Sequence, residues 1–436
     1  VSGASPLGGP ALETDAVARL AAAKSRYERR NPNSVERWKF ASTAMPGGNT
    51  RTVLFFDPFP LCMAHGEGCL LVDVDGHRYY DLLGEYTAGI YGHSHPVIRE
   101  AVIAALDTGI SLSAHNEAEG ELAHLLRSRF PSMELLRFTN SGTEANIMAL
   151  ATAIAITGRR RILVFENAYH GSVLSFGNLG SPTNLPYDFV VAPYNDIDYV
   201  RSVLRDLGGE LAAVLVEPML GAGGCTPAEP DFLRMLASEA RRAGALLIFD
   251  EIQTSRLSPG GRQQLLGISP DLTTLGKYCG GGFSFGAFGG RSDLMSVYDP
   301  RKARHLSHPG TFNNNVFSMY AGVAGLKTVL TPQVLMELNA RGDALRESLN
   351  QMFTKFGTGL SATGLGSIMN LHMQGEQKEA GVARELLFFE LLERGFYIAP
   401  RGLITLSLPV TDEVTGRFVA AAREVVESHA DVLRGT

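Results

Sequence analysis

A chain of 436 residues is too long for one small core and suits a large domain with a smaller companion. Hydrophobic residues at 45% and charged residues at 19% describe an ordinary globular enzyme, and a net charge of −6 supplies no basic face for nucleic acid. No apolar run reaches the roughly 18–20 residues of a membrane span, and Cys62, Cys69, Cys225 and Cys279 fit neither a zinc site nor a disulfide framework.

The opening Val1-Ser2-Gly3-Ala4-Ser5-Pro6 has no charged or apolar stretch of the signal-peptide kind, so free thiols in the cytoplasm are expected. Residues 12–30 read as a helix, an arm able to pack on a partner. Leu70–Asp81 reads as a β-hairpin turning at Asp75-Gly76. From about 135 short apolar runs alternate with helical stretches. The strands are Leu136–Thr139, Ile162–Phe165, Phe189–Ala192, Ala213–Val216, Leu246–Phe249 and Leu272–Leu275; helices fall at 143–157, 197–207 and 230–243. Continuous apolar strands between helices mark an α/β fold with a mostly parallel sheet covered on both faces. After about 325 the texture changes to long helices and short strands, and a last helix over 412–430 buries Val414, Phe418, Ala422 and Val425. The expected division is an N-terminal arm with part of the small domain (1–70), a large domain (71–325) and a C-terminal small α+β domain (326–436).

Ligands of such sheets sit at the carboxyl ends of the strands, and four strand ends here carry polar residues. Asn140-Ser141-Gly142-Thr143-Glu144-Ala145 joins a strand to a helix N-terminus, whose free N–H groups and positive potential suit an anion. Asp250-Glu251-Ile252-Gln253 closes an apolar strand with an acid pair, and a carboxylate there calls for a cationic or hydrogen-bonding partner such as a pyridinium nitrogen. Lys277 ends Thr274-Leu275-Gly276 and precedes Gly280-Gly281-Gly282. An ammonium is costly to bury there, whereas the neutral amine attacks carbonyls. Lys277 follows Asp250 by 27 positions, room for one crossover between neighbouring strands. Tyr169-His170-Gly171 follows Ile162–Phe165 and offers an aromatic face for a flat heterocycle.

Together with Val216-Glu217-Pro218 and Pro309-Gly310-Thr311-Phe312, these stretches stand in the order found in class III aminotransferases, which the chain resembles over roughly residues 45–430. The resemblance implies a fold-type I enzyme with a seven-stranded sheet, dependent on pyridoxal 5′-phosphate (PLP). It also implies a homodimer with active sites at the subunit interface. It further implies that Lys277 bonds the cofactor and shuttles the proton, that Asp250 pairs with the pyridine nitrogen, and that Ile252 and Tyr169 sandwich the ring. Ser141, Gly142 and Thr143 would hold the phosphate, and Thr311 would reach the phosphate bound in the other subunit. His170, Glu217 and Gln253 complete the expected cofactor set, Glu217 lying near the ring substituents.

Within the class, the chain looks closest to β-amino-acid (β-phenylalanine) aminotransferases and is related to glutamate-1-semialdehyde aminomutases. Both branches carry an arginine after a glycine-rich turn, here Gly47-Gly48-Asn49-Thr50-Arg51. A guanidinium fork binds a carboxylate bidentately, so Arg51 is an expected substrate anchor. Arg401 stands where mutases carry a small polar residue, the Phe-Glu-Ala-Gly stretch of mutases is missing, and the segment from Gly171 to Tyr187 is short for their gating loop. Thr254–Gly261 also resembles the β-phenylalanine branch. The implied reaction is transfer of an amino group from a β-amino acid to 2-oxoglutarate or pyruvate, with Arg51 and Arg401 at opposite ends of the pocket and Tyr86 lining it. Arg401 would swing aside when an apolar group arrives. The rival readings are the aminomutase and, more distantly, a serine hydrolase. The hydrolase rests on Gly282-Phe283-Ser284-Phe285-Gly286 with His305 and His308 downstream. No dinucleotide-binding glycine fingerprint follows a first strand.

Overall fold

The computed structural model describes residues 10–177 and 180–434. The first six residues therefore lie outside the described residues, as do two of the positions in the short 171–187 segment. The chain forms two compact units: residues 1–86, 92–94 and 340–436 in one, and 87–91 and 95–339 in the other. Residues 71–86 thus belong with the N-terminal unit and residues 326–339 with the central one, a different division from the expected one. Among the described residues no helix is long and apolar enough to cross a membrane.

In the first unit, a helix over Pro10–Arg30 leads to a second over Pro32–Ser42 and then to β1 (Met63–Glu67), β2 (Leu70–Asp73) and β3 (Arg78–Asp81). The three strands are antiparallel neighbours. Buried Asp73 organises the β2–β3 turn, its carboxylate accepting from the Asp75 and His77 N–H groups at 2.9 and 2.8 Å and from the Tyr79 hydroxyl at 2.8 Å. Asp75 in turn caps the second helix, accepting from the Asn33 and Ser34 amides at 2.8 and 3.0 Å. Its two carboxylate oxygens satisfy donors that a helix start leaves over.

The second unit holds a seven-stranded sheet. Its strands are β4 (Leu135–Thr139), β5 (Arg161–Phe165), β6 (Asp188–Ala192), β7 (Leu211–Val216), β10 (Leu246–Asp250), β11 (Leu272–Gly276) and β12 (Gly286–Gly290). The short β8 (Met219–Leu220) and β9 (Thr226–Pro227) pair separately. The order across the sheet is β4-β12-β11-β10-β7-β5-β6. Only β12 is antiparallel to its neighbours. The apolar runs of the central strands are buried throughout, as a doubly covered parallel sheet requires. Phe165, Tyr194 and Phe232 interlock beside them, with centroids 5.4–5.9 Å apart and rings near perpendicular. Burying a ring the size of Phe232 contributes about 2–3 kcal/mol. Six of the seven strands coincide with the expected apolar runs. The exception is β12, Gly-Ala-Phe-Gly-Gly, which has no β-branched residue to mark it. A side chain at Gly286 would place its Cβ 2.1 Å from the Ser141 carbonyl oxygen, so bare backbone is what lets this strand pass.

The chain then returns to the first unit with β13 (Leu360–Leu365), β14 (Ile368–Met373), β15 (Phe396–Tyr397) and β16 (Leu403–Thr405). β13, β14 and β16 form one sheet, and β15 extends the first sheet by pairing in parallel with β3. That pairing is why residues 71–86 belong here. The last helix, Asp412–Ser428, buries Val414, Phe418, Ala422 and Val425 as expected. The helix over Gln377–Glu393 carries Glu390, paired with Arg26 at 2.6 Å and Arg394 at 2.7 Å, with His429 at 3.6 Å. Burial raises the Glu390 carboxyl, but hydrogen bonds from His429 and Arg394 and the charges of His429 and Arg26 outweigh it and hold it down at about 2. A depressed folded-state pKa contributes stability present above the unfolded carboxyl value of about 4.3 and lost as pH falls toward the folded one. Glu390→Gln is therefore expected to melt below the parent protein at pH 7. The gap should close as pH drops from about 4 toward 2, which thermal melts across that range would measure.

Candidate active site

Parallel strands bring the carboxyl ends of β4, β5, β7, β10 and β11 to one edge of the sheet, where a crevice ligand sits. Asp250 is the last residue of β10 and is buried. Three N–H donors converge on it: Asn146 Nδ2 at 2.8 Å and His170 Nδ1 at 2.7 Å on Oδ2, and the Ile252 amide at 3.0 Å on Oδ1. Because a carboxylate only accepts, the network assigns the His170 proton to Nδ1. His170 Nε2 is buried without a partner. Asn146 also donates to the His170 carbonyl at 2.9 Å and accepts from Thr274 Oγ1 of β11 at 2.7 Å. The Asp250 carboxylate is thus oriented by a helix, the loop after β5 and, through Asn146, the next strand. Sequence reasoning missed Asn146. Its signal was an amide in the otherwise apolar Asn146-Ile147-Met148-Ala149-Leu150 run, where a polar group has to find partners.

The other half of the acid pair does something different. Glu251 accepts from Thr254 Oγ1 at 2.5 Å and from the Gln263 and Arg262 amides at 2.7 and 3.0 Å, which ties down the loop after β10. Its side chain is fully buried and its pKa is raised by that burial. Glu217 follows β7 and accepts from the Tyr169 amide at 2.9 Å and the Gly221 amide at 3.0 Å. Burial, opposed by His170 and reinforced by Asp250, pushes its carboxyl up to about 7. Gln253 lies against Gly221 with its Oε1 buried and unpartnered.

Ser141 caps the helix Gly142–Thr157, its Oγ accepting from the Glu144 amide at 3.2 Å. The amides of Gly142 and Thr143, in the first turn, have no intrahelical acceptor. This end of the helix is cut close. A Cβ at Gly142 would lie 2.4 Å from Ile252 Cδ1, and one at Gly171 would lie 2.2 Å from Thr143 Oγ1. Ile252 also borders Gly276, just before Lys277.

Lys277 opens the turn after β11, half-buried, with φ +56°. A left-handed backbone costs a residue with a Cβ about 1–2 kcal/mol and concentrates at functional positions. Since Asp250 pairs with Thr274 across β10 and β11, Lys277 stands three residues past that partner, just beyond the end of the neighbouring strand. Tyr169 is exposed, as are Thr311 and Phe312 in the loop before the helix Val316–Ala324.

In the first unit, Arg51, Glu85, Tyr86 and Arg401 lie together. The guanidinium carbons of Arg51 and Arg401 stand 5.3 and 5.7 Å from the centroid of the Tyr86 ring. Arg51 pairs with Glu85, and the Tyr86 hydroxyl donates to the Val53 carbonyl at 2.9 Å. Burial raises the Tyr86 pKa, with Arg401 and Arg51 pulling the other way. The two arginines therefore flank one ring, that of Tyr86. Glu85 and Tyr86 both have positive φ, +47° and +52°, a strained turn that the sequence did not signal.

The hydrolase reading fails on context. Ser284 precedes the antiparallel strand β12 and not a helix, so no nucleophile elbow forms. His308 is engaged elsewhere, its Nδ1 accepting from Arg137 Nε at 3.1 Å, while burial and Arg137 push its pKa down.

The central unit thus offers a lysine, an oriented carboxylate on the adjacent strand, a helix start whose first residue, Gly142, has no Cβ, and buried polar atoms on His170 and Gln253 still lacking partners. This donor set fits PLP: a carbonyl for the amine, a ring nitrogen for the carboxylate and a phosphate for the helix start.

Comparison with known proteins agrees with this geometry. The family model described as aminotransferase class-III matches residues 56–420. A β-phenylalanine transaminase of Variovorax paradoxus is 52% identical over 422 residues, covering 95% of this chain and 97% of that one. A crystal structure of a β-phenylalanine aminotransferase from Variovorax paradoxus superposes with a TM-score of 0.94 at 52% identity, covering 97% of this chain and 100% of that one. A glutamate-1-semialdehyde 2,1-aminomutase of Methanothermobacter thermautotrophicus is more distant, 38% identical over 388 residues, covering 84% of this chain and 92% of that one.

Proposed function

The chain belongs to the class III aminotransferases, PLP-dependent enzymes, and from that premise we propose that its amino donor is a β-amino acid of the β-phenylalanine kind. The product is the β-keto acid, and 2-oxoglutarate or pyruvate takes up the amino group. One observation carries the substrate reading: Arg51 and Arg401 both lie over Tyr86, in a chain 52% identical to a β-phenylalanine transaminase. Two guanidinium forks around one aromatic ring suit a donor with a carboxylate and an aryl group, and acceptors with one or two carboxylates.

Bound PLP supplies an electron sink that stabilises negative charge at the carbon bearing the amine. The chain's own residues do the rest. Lys277 Nζ would hold the cofactor and, as a free amine, would move the proton at that carbon. Asp250, oriented by Asn146, His170 and the Ile252 amide, holds positive charge on the ring nitrogen. Ser141, Gly142 and Thr143 receive the phosphate. Ile252 and Tyr169 would cover the ring, while Glu217, His170 and Gln253 would border it. The enzyme acts as a homodimer in which Thr311 reaches the partner's phosphate, which suits exposed Phe312 (61%) and the exposed Leu106 (54%) and Ile110 (60%). It acts in the cytoplasm, which suits four free cysteines.

Half-reactions of the purified enzyme with a panel of α-, β- and ω-amines test the substrate. β-Phenylalanine should bleach the cofactor's absorbance fastest, and 2-oxoglutarate or pyruvate should restore it. If 4-amino-5-oxopentanoate forms without an external acceptor while β-phenylalanine leaves the spectrum unchanged, the aminomutase reading replaces this one. Arg51→Ala and Arg401→Ala should each raise KM for at least one carboxylate substrate roughly 10- to 100-fold, the worth of a charged hydrogen bond. Unchanged steady-state kinetics with both β-phenylalanine and 2-oxoglutarate would remove that arginine from the site.

A further inference from the structure

We propose that Tyr91 is a positioning residue for the turn that carries Lys277, a role that rests on Lys277 being the cofactor-bonding lysine. Within six positions the chain after β11 enters the left-handed region three times, at Lys277, Gly281 and Gly282 (φ +56°, +70° and +91°). Glycine adopts that conformation freely, but Lys277 does so against its own Cβ, so its surroundings must impose it. The bond that closes the turn runs from the Gly281 amide to the Tyr278 carbonyl at 2.9 Å. The same carbonyl accepts from the Tyr91 hydroxyl at 3.1 Å. Tyr91 is only 4% exposed, and a fully enclosed hydroxyl is held to the acceptor it faces.

The fold makes a recess for that hydroxyl. A Cβ at Gly325 would lie 2.1 Å from Tyr91 Oη. Gly325 begins a single π turn, Gly325–Val329, at the end of the helix Val316–Ala324. Such turns cluster near functional sites. Arg129 Nη2 braces this one, donating to the Leu326 and Leu330 carbonyls at 2.5 Å each. The preceding helix presses on the far end of the lysine turn, where a Cβ at Gly281 would meet Ala321 Cβ at 2.3 Å. Tyr91 therefore fixes the middle of the lysine turn from a rigid support, with one oxygen atom.

Tyr91→Phe removes that oxygen and leaves the ring. The holoenzyme should still bind PLP, because the phosphate and ring-nitrogen contacts are separate. The pH midpoint of the bound cofactor's absorbance should move by about half a unit or more, and the half-reaction rate with β-phenylalanine should fall roughly three- to tenfold with donor affinity little changed. Gly325→Ala, which pushes a methyl into the hydroxyl's place, should move the same two readouts. The double variant should lose no more than the larger single loss, since both act through one bond. A Tyr91→Phe enzyme with unchanged midpoint and unchanged rate would overturn the role, as would additive losses. Should the wild-type midpoint be absent, or survive in Lys277→Ala, the reading of Lys277 itself falls and this role with it. An unchanged Tyr91→Phe beside an intact wild-type signal overturns the positioning role alone.

Discussion

Lys277→Ala is expected to lower turnover by at least about a thousandfold, the largest effect of any single substitution in the chain. On the proposed mechanism the lysine would serve twice, as the amine that bonds the cofactor at rest and as the base that moves the proton afterwards. No other lysine follows β11 before β12, so nothing on that turn can replace it. Cofactor should remain associated, because Asp250 and the start of the helix Gly142–Thr157 do not depend on the amine. Its absorbance, however, should lose its dependence on pH near neutrality. Lys277→Arg is the informative companion. It keeps a long cationic side chain but not a nucleophilic amine, and should be nearly as inactive as the alanine. Steady-state kinetics with β-phenylalanine and 2-oxoglutarate, with the spectrum of the bound cofactor, measure both. Activity within tenfold of the parent in either variant would contradict the role.

Asp250→Asn should come next, lowering turnover roughly 10²- to 10⁴-fold. An amide is nearly the same shape but cannot neutralise a protonated ring nitrogen. It also meets its own neighbours badly. Oδ2 of Asp250 accepts from both Asn146 Nδ2 and His170 Nδ1, so an amide nitrogen placed there would face two donors. Turned the other way, it would face the Ile252 amide. Either arrangement strands a buried polar group, a further loss of about 1–3 kcal/mol in folding stability. Asn146→Ala keeps the carboxylate and removes one orienting donor, and should cost about tenfold in turnover. Comparing kcat, cofactor release and thermal melts across the two variants separates charge from orientation. Equal losses in both would mean that the ring nitrogen draws nothing from the charge itself.

Much of this arrangement is legible in the amino-acid pattern, for reasons that differ from residue to residue. The strands β5, β7 and β10 are largely continuous apolar runs, so the pattern of hydrophobic residues alone marks their ends, and with the last of them Asp250; Lys277 follows β11, whose apolar pattern is broken by Thr273 and Thr274. It does not mark β12, because three glycines in five residues carry no strand preference; the place of that strand is dictated by the backbone that crosses it at Ser141. The acid pair is legible as a pair but not in its division of labour. Successive side chains on a strand point to opposite faces, which sends Asp250 to Asn146 and His170 and sends Glu251 to the amides of Arg262 and Gln263. Asn146 and Tyr91 act across more than a hundred residues of chain, on Asp250 and Tyr278, and no local pattern announces contacts of that span. Arg51 and Arg401 stand out only through resemblance to a family. That both settle over Tyr86, beside a left-handed turn at Glu85, depends on side-chain packing that spacing does not encode.

Whether Lys277 is the residue that bonds PLP can be read out directly. Reducing the holoenzyme with borohydride makes the lysine–cofactor bond permanent, and digestion followed by mass spectrometry locates it. One modified peptide is expected, containing Thr274-Leu275-Gly276-Lys277, with the mass of the reduced cofactor on Lys277. Modification of a different lysine, or a reduced enzyme that releases its cofactor on unfolding, would contradict that assignment.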